Sequence, residues 1–345
     1  MSVADASAPL LDVRDLNVHI DTSEGVLHAV RDVSFSVHAG SAVAIVGESG
    51  SGKTLTARAL IGLAGPSNVR ASGSVRYGGR DLIGLSDAEL CAVRGRSIGM
   101  IAQDAMTALN PVLRVGDQIA EAVRAHERVS RREARERAVA LLREVGISEP
   151  ARRADAYPHE LSGGMRQRAL IAMALACGPE VLIADEPTTA LDVTVQAQVL
   201  ELLKRTSTAR ETALVFITHD LGIVAEIADE IVVMYGGEVV ERGPTAAVFR
   251  DPRHPYTRGL LGSSPRADRP PLPRMPAIPG GPPSLRERVA GCRFRPRCEE
   301  AFERCLEHPA LEARGDDAER CDRCWLNAPA EGSRQHVETV ERGGA

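Results

Sequence analysis

The chain has 345 residues, 43% of them hydrophobic and 26% charged, which excludes a collagenous, coiled-coil or wholly disordered protein and leads us to expect two domains or one large domain with an appendage. Its 47 acidic and 42 basic residues give a net charge of -5, which argues against a surface built throughout to hold nucleic-acid phosphates. The longest apolar runs, Ser41 to Val46 and Ile171 to Cys177, fall far short of the roughly 20 residues that cross a bilayer, and no basic-then-apolar leader opens the chain, so a cytoplasmic, non-spanning protein is expected.

Residues 1–9 read as a disordered N-terminus. From Leu10 to His38 apolar and polar residues alternate, as in LDVRDLNVHI and VSFSV, which predicts antiparallel strands with one solvated face. The run AVAIV at Ala42 to Val46 then reads as a buried strand. It is followed by GESGSGKT at Gly47 to Thr54 and by the helix candidate LTARALIGL. Strand, G-x-x-x-x-G-K-[ST] and helix together form a phosphate cradle. The glycines let backbone N–H groups turn inward around an anion, and the helix N-terminus adds its dipole. Lys53 reaches the β/γ-phosphates and Thr54 can ligate Mg²⁺. The expected phosphate contacts are Gly47, Glu48, Ser49, Gly50, Ser51, Gly52, Lys53 and Thr54. An ordinary Gly-rich turn has no reason to place Lys and Thr in register behind a strand.

A helical region is expected over about 104–178, with patterns at Asp117 to His126 and in the Arg/Glu-rich stretch Arg131 to Val145. That stretch is most simply a solvated helix face. LSGGM at Leu161 to Met165 opens a further helix, where Ser162, Gly163 and Gly164 form a second anion nest or, equally on their own, a plain N-cap. The strand VLIADE ends in Asp185 and Glu186, at the carboxyl end where such sheets bind ligands. Asp185 suits Mg²⁺ through its water shell, and Glu186 suits orienting or deprotonating a water. With Ala213 to Ile217 as a third apolar strand, the alternation predicts a parallel α/β core.

Seven prolines precede residue 244 and fourteen lie from Pro244 onward, while five of the seven cysteines lie beyond residue 291. Residues 263–284 read as an extended, partly polyproline II connector, with a separate C-terminal element after it and a disordered tail at 331–345. Cys292, Cys298, Cys305, Cys321 and Cys324 follow C-x5-C-x6-C-x15-C-x2-C. Four thiolates can be gathered from this set, and spacing does not separate zinc from iron. Cys91 and Cys177 are expected to be buried in apolar packing.

Taken in order, GESGSGKT, Gln103 in IAQD, LSGGM, LIADEP, Ala190-Leu191-Asp192 and His219 in ITHD resemble the motifs of the nucleotide-binding subunit of an ABC transporter. The resemblance covers about residues 10–330. It implies a RecA-like P-loop core with an antiparallel β subdomain and a helical signature subdomain, an ATPase domain at 10–248, and an irregular Cys-rich extension at 249–330. ATP and Mg²⁺ would then lie head to tail between the phosphate loop of one subunit and the signature, Ser162 to Gly164, of another, so a second ATPase subunit, a copy or a paralogue, is required. Gln103 and Asp192 are implied as nucleotide contacts, Gln103 also on the metal, and His219 joins Glu186 and Gln103 as a catalytic residue that senses the γ-phosphate. Where relatives carry an aromatic ring to stack adenine, DTSEGVLHAV offers only His28 and Val26.

QDAMTALNPVLRVGDQI, RHPYTRGLL and GCRFRPRC look like the oligopeptide/dipeptide branch of ABC importers, a branch that includes nickel importers. That implies two permease subunits, an extracytoplasmic binding protein and a place on the cytoplasmic face of the plasma membrane, with Ala105 to Gly116 touching the permease. The branch's C-terminal Cys motif holds a 4Fe-4S cluster. Cys292, Cys298 and Cys305 match its first three ligands, and Cys324, followed by Trp325 and Leu326, matches the fourth better than Cys321. Zinc stays open as the other occupant. DNA-acting ABC ATPases carry long insertions between phosphate loop and signature; the compact interval and acidic balance here argue against nucleic acid.

Overall fold

The computed structural model describes residues 8–328 apart from 64, 66, 67, 190, 264–276, 287, 288 and 315–318. The expected N-terminal and C-terminal tails and most of the Pro-rich connector lie outside the described residues. The alternation that opens the chain builds β1 (Leu11–Thr22) and β2 (Gly25–Val37), whose Leu11, Val13, Leu16, Val18, Val33 and Phe35 side chains are buried. The core strand β3 (Ala42–Val46) and helix α1 (Lys53–Leu60) follow, and the chain then returns to the first layer as β4 (Val69–Tyr77) and β5 (Arg80–Asp81). The result is an antiparallel sheet in the order β2-β1-β4-β5.

Helix α2 (Asp87–Val93), opened by a capping box between Ser86 and Glu89, leads into β6 (Ile98–Ile101). Five helices come next: α3 (Ala105–Ala108), α4 (Val115–His126), α5 (Arg131–Glu144), α6 (Pro150–Ala154) and α7 (Gly163–Ala174). Val115, Ile119 and Val123 of α4 share one core cluster with Ala134, Ala138, Leu141 and Leu142 of α5, which leaves most of the Arg and Glu side chains of α5 toward solvent.

The chain then re-enters the main sheet through β7 (Val181–Asp185), α8 (Val193–Arg210), β8 (Ala213–Thr218), α9 (Leu221–Ile227), β9 (Glu230–Tyr235) and β10 (Glu238–Pro244). Helices α10 (Thr245–Arg250) and α11 (Pro255–Ser263) and the short strands β11 (Glu312–Ala313) and β12 (Cys321–Asp322) complete it. The order is β11-β12-β10-β9-β3-β8-β7-β6, parallel from β9 to β6. Strands β3, β7 and β8 are buried along their whole length, as expected of a parallel sheet covered on both faces. Among the described residues, no helix is long and apolar enough to cross a membrane.

Two expectations need correction. The C-terminal element is not separate, because β12 pairs with β10 (Glu241 opposite Asp322, Arg242 opposite Cys321) and the extension continues the main sheet. Two-residue strands cannot bury a core of their own, and here they occupy the open edge of β10. Nor is Cys91 buried: it is exposed on α2, and Cys177 is half-buried with its thiol 3.6 Å from the Ala122 carbonyl.

Candidate active site

Strand β3 delivers the chain into the Gly47–Gly52 loop, and backbone crowding dictates the glycines. A Cβ on Gly47 would collide with the Met234 carbonyl of β9. Gly52 sits at φ 101 as the N-cap of α1, without any side-chain cap, so the first N–H groups of the helix have no side-chain acceptor. Lys53 is 5% exposed and donates from Nζ to the carbonyls of Gly47 (2.8 Å) and Glu48 (3.0 Å). Burial lowers its pKa, while Glu186, Asp185 and Glu48 pull the other way.

The end of β7 faces the start of α1. Thr54 Oγ1 donates to Asp185 Oδ1 at 3.1 Å, joining residues 131 positions apart. Asp185 is 1% exposed, and burial raises its pKa against the opposing Thr54 hydrogen bond. A hydroxyl beside a buried carboxylate is a hard-oxygen donor pair of the kind Mg²⁺ takes when phosphate and water supply the rest. Glu186 adopts φ 47, a left-handed conformation costly for a side-chain-bearing residue, and strain of this kind clusters at functional sites. Its carboxylate accepts from Gln103 Nε2 (3.1 Å) and Thr189 Oγ1 (2.9 Å), and His219 Nδ1 lies 3.5 Å from Oε1. Ser49 to Leu55, Gln103 and Glu186 line one open cleft together with Leu285 of the extension.

The other expected contacts are elsewhere. Ser162 caps α7 by accepting the Met165 N–H at 3.3 Å, Gly163 faces open space, and neither they nor Gly164 line the cleft. Asp192 caps α8 through the Val195 N–H at 3.0 Å, also outside the cleft, and Ala190 is outside the described residues. His28 and Val26 line a second cleft of about 600 Å³ between the β1–β2 hairpin and the extension, shared with Arg31, Arg293 and Leu285. Leu285 thus borders both clefts. Burial and then Arg31 depress the pKa of His28 to about 4, and Arg286 pairs with Glu24 across the mouth.

Cys292, Cys298, Cys305 and Cys324 line one small cavity walled by His254, Phe294 and Trp325, whereas Cys321 lies in β12 outside it. Burial raises the thiol pKa of Cys292 and Cys298 and pushes Cys324 up to about 12. Among the described residues, no three His, Cys, Asp or Glu side chains converge to hold a single metal ion.

Three residues at the site went unnoticed in the sequence. Arg297 forms a bidentate pair with the Glu48 carboxylate, Tyr256 Oη accepts the Glu48 N–H at 2.8 Å, and Leu285 borders the cradle. They lie more than 200 residues from the loop in sequence, so no local pattern marks them.

Residues 30–189 match the family described as ABC transporter, and residues 240–305 match the oligopeptide/dipeptide transporter C-terminal region. The chain is 50% identical over 304 residues to the oligopeptide transport ATP-binding protein OppD of Salmonella typhimurium, covering 88% of this chain and 90% of that one. It is 51% identical over 322 residues to the OppD protein of Mycobacterium bovis; that match covers 92% of this chain and spans about half, 52%, of the mycobacterial relative. Among solved structures, a dimeric ATP-binding cassette in a post-hydrolysis state bound to ADP and phosphate superposes with a TM-score of 0.62 at 29% identity, covering 68% of this chain and 98% of that one.

Proposed function

The chain belongs to the ATP-binding subunits of ABC transporters, in the branch with the oligopeptide/dipeptide C-terminal region, and from that premise we propose that it binds and hydrolyses ATP to drive import of di- and oligopeptides through a membrane permease. The observation that carries this reading is the meeting of the phosphate loop, the Thr54–Asp185 pair and the Gln103–Glu186 pair at one cleft. Loop N–H groups and Lys53 hold the β/γ-phosphates. Thr54, Asp185 and Gln103 hold Mg²⁺, which neutralises phosphate charge when bound. Glu186 accepts a proton from the water whose oxygen attacks the γ-phosphorus; the bond to the β-γ bridging oxygen breaks, and ADP and inorganic phosphate leave. His219, beside Glu186, reports the γ-phosphate. The base takes the cleft that Val26, His28 and Leu285 line together with the charged Arg31 and Arg293.

Ser162, Gly163, Gly164 and Asp192 lie away from this cleft, which supports a role on the ATP of a second ATPase subunit. Val112 is 75% exposed and Leu113 39% exposed on the segment after Gln103, and unpaired apolar side chains there suit a permease helix at the cytoplasmic membrane face. The four thiols around one apolar cavity support the 4Fe-4S reading. Tetrahedral zinc is the rival occupant of the same thiols, in place of the cluster. When bound, such a cluster would cross-link the extension in place of a hydrophobic core.

The test is uptake of a labelled tripeptide into vesicles carrying the chain with its permeases and second ATPase. MgATP-dependent uptake that Glu186→Gln stops is the expected result. Uptake of Ni²⁺ but of no peptide overturns the substrate assignment, and loss of MgATP binding by the wild-type chain overturns the whole reading.

A further inference from the structure

We propose that Arg297, in the cysteine-rich extension, is a positioning residue for nucleotide binding that holds Glu48 and, through it, the entrance of the phosphate loop. The inference rests on the ATPase reading above and adds to it a dependence of the loop on the extension. Arg297 Nη1 and Nη2 donate to the Glu48 carboxylate oxygens at 2.6 and 3.0 Å, a fork in which both parallel hydrogen bonds are charge-assisted. The guanidinium is nearly enclosed. Its Nε donates to the Pro279 carbonyl at 2.7 Å, and Nη1 reaches Tyr235 Oη at 3.4 Å. A second strut comes from the same region, because the Oη of fully buried Tyr256 accepts the Glu48 N–H at 2.8 Å. Tyr235, Tyr256 and Phe294 pack with ring centroids 4.6 to 5.4 Å apart and fix both struts to the sheet.

The chemistry explains why this matters for an anion. Glu48 stands between Gly47 and the glycine-rich turn, where the backbone has little stiffness of its own. Ordering that turn only when nucleotide arrives would cost conformational entropy, and Arg297 and Tyr256 have already ordered its first residue. Without Arg297, a partly buried carboxylate would also stand unpaired near the triphosphate. Lys53 links the two ends of the device, since the Glu48 carbonyl accepts from its Nζ. Arg297, through which the extension reaches the ATP cradle beside Tyr256, stands one residue ahead of Cys298 in the wall of the thiol cavity.

A role confined to fastening the extension is the rival, and binding of a fluorescent ATP analogue with Mg²⁺ to the full-length protein separates the two. Arg297→Ala is expected to raise the Kd about tenfold, and Arg297→Lys, which keeps the charge and loses the fork, about threefold. In the assembled transporter KM rises while kcat stays within twofold. Placed in a Glu48→Ala background, Arg297→Ala adds nothing further to the Kd. An unchanged Kd in folded Arg297→Ala, or the same loss with and without Glu48, overturns the proposal. If Arg297→Ala does not fold, Glu48→Ala alone decides: it leaves the extension its other contacts, and an unchanged Kd refutes the strut. Failure of the wild-type protein to bind the analogue refutes the ATPase reading instead.

Discussion

Gln103 and Glu186, 83 residues apart in the chain, meet in a 3.1 Å hydrogen bond that aims the carboxylate at the phosphate cradle. The bond, with those from Thr189 and the contact with His219, holds Glu186 in a backbone conformation it would not choose alone. A carboxylate fixed in this way at the end of β7 suits the general-base role proposed for it, because it loses little motion when water arrives.

Glu186→Gln keeps the shape and removes the basic oxygen. Phosphate release is expected to fall by about 10²- to 10⁴-fold while MgATP binding persists. A phosphate-release assay beside a filter-binding assay checks both; hydrolysis within a few-fold of wild type would remove Glu186 from the role.

Asp185 is buried beside Thr54, and in the proposed Mg²⁺ role its substitution acts on the metal rather than on the phosphates directly. Asp185→Asn is expected to weaken ATP binding in Mg²⁺ by about tenfold or more, with little change in EDTA, because the amide keeps the shape and loses the charge. Equal losses with and without Mg²⁺ would show that the side chain only supports the fold.

The thiol cavity excludes Cys321. Protein purified without oxygen is expected to contain iron and sulfide and to be brown. Cys324→Ser should bleach it, and Cys321→Ser should leave its absorbance within about a fifth of wild type, a margin set by assay scatter around an unchanged ligand set. Zinc in place of iron in the wild-type protein would end the cluster reading.

Glu241 on β10 is 0% exposed and accepts the N–H groups of Arg253 and His254, both at 2.9 Å, while facing Arg320. Glu241→Ala strands the two N–H groups, leaves Arg320 with its contacts to Asp251, and is expected to cost about 3–5 kcal/mol. Glu241→Gln keeps an acceptor oxygen and should cost less. Urea unfolding of the two variants measures the difference, and equal stabilities would contradict the hydrogen-bonding account.

His254 is buried, and its Nδ1 accepts the Tyr256 N–H at 3.1 Å, so the folded ring is neutral. Burial, with Arg258 and Arg323 nearby, depresses its pKa to about 3 from the free value of 6.5. Between those values the unfolded chain binds the extra proton, so stability present above pH 6.5 is lost as pH falls toward 3, by up to about 1.4 kcal/mol per pH unit. Glu241, whose pKa burial raises, tilts the curve the other way, and comparison with His254→Asn isolates the histidine. Urea unfolding at pH 7 and pH 5.5 should show a smaller acid loss in the variant.

The phosphate cradle, the acid pair after β7 and the strand-helix alternation were legible in the amino-acid order because each depends on neighbours within a few residues. A six-residue loop between a buried strand and a helix sets its N–H groups beside the helix N-terminus, and a β-strand declares its faces by alternation. Legible in the same way was the antiparallel layer from Leu11 to Val37. The five cysteines stood out as a group, yet their spacing left open which of them share a cavity.

Folding decided what spacing leaves free. The β12 pairing with β10 sent Cys321 into the sheet and left Cys324 on the cavity wall. The free edge of β10 drew the extension onto the core, where buried Glu238 is met by Arg293 and His308. Packing of Tyr235, Tyr256 and Phe294 then carried Arg297 to Glu48 across 249 residues of chain. A hydrogen bond forms within about 3 Å, and only a close-packed interior brings such distant residues to that range.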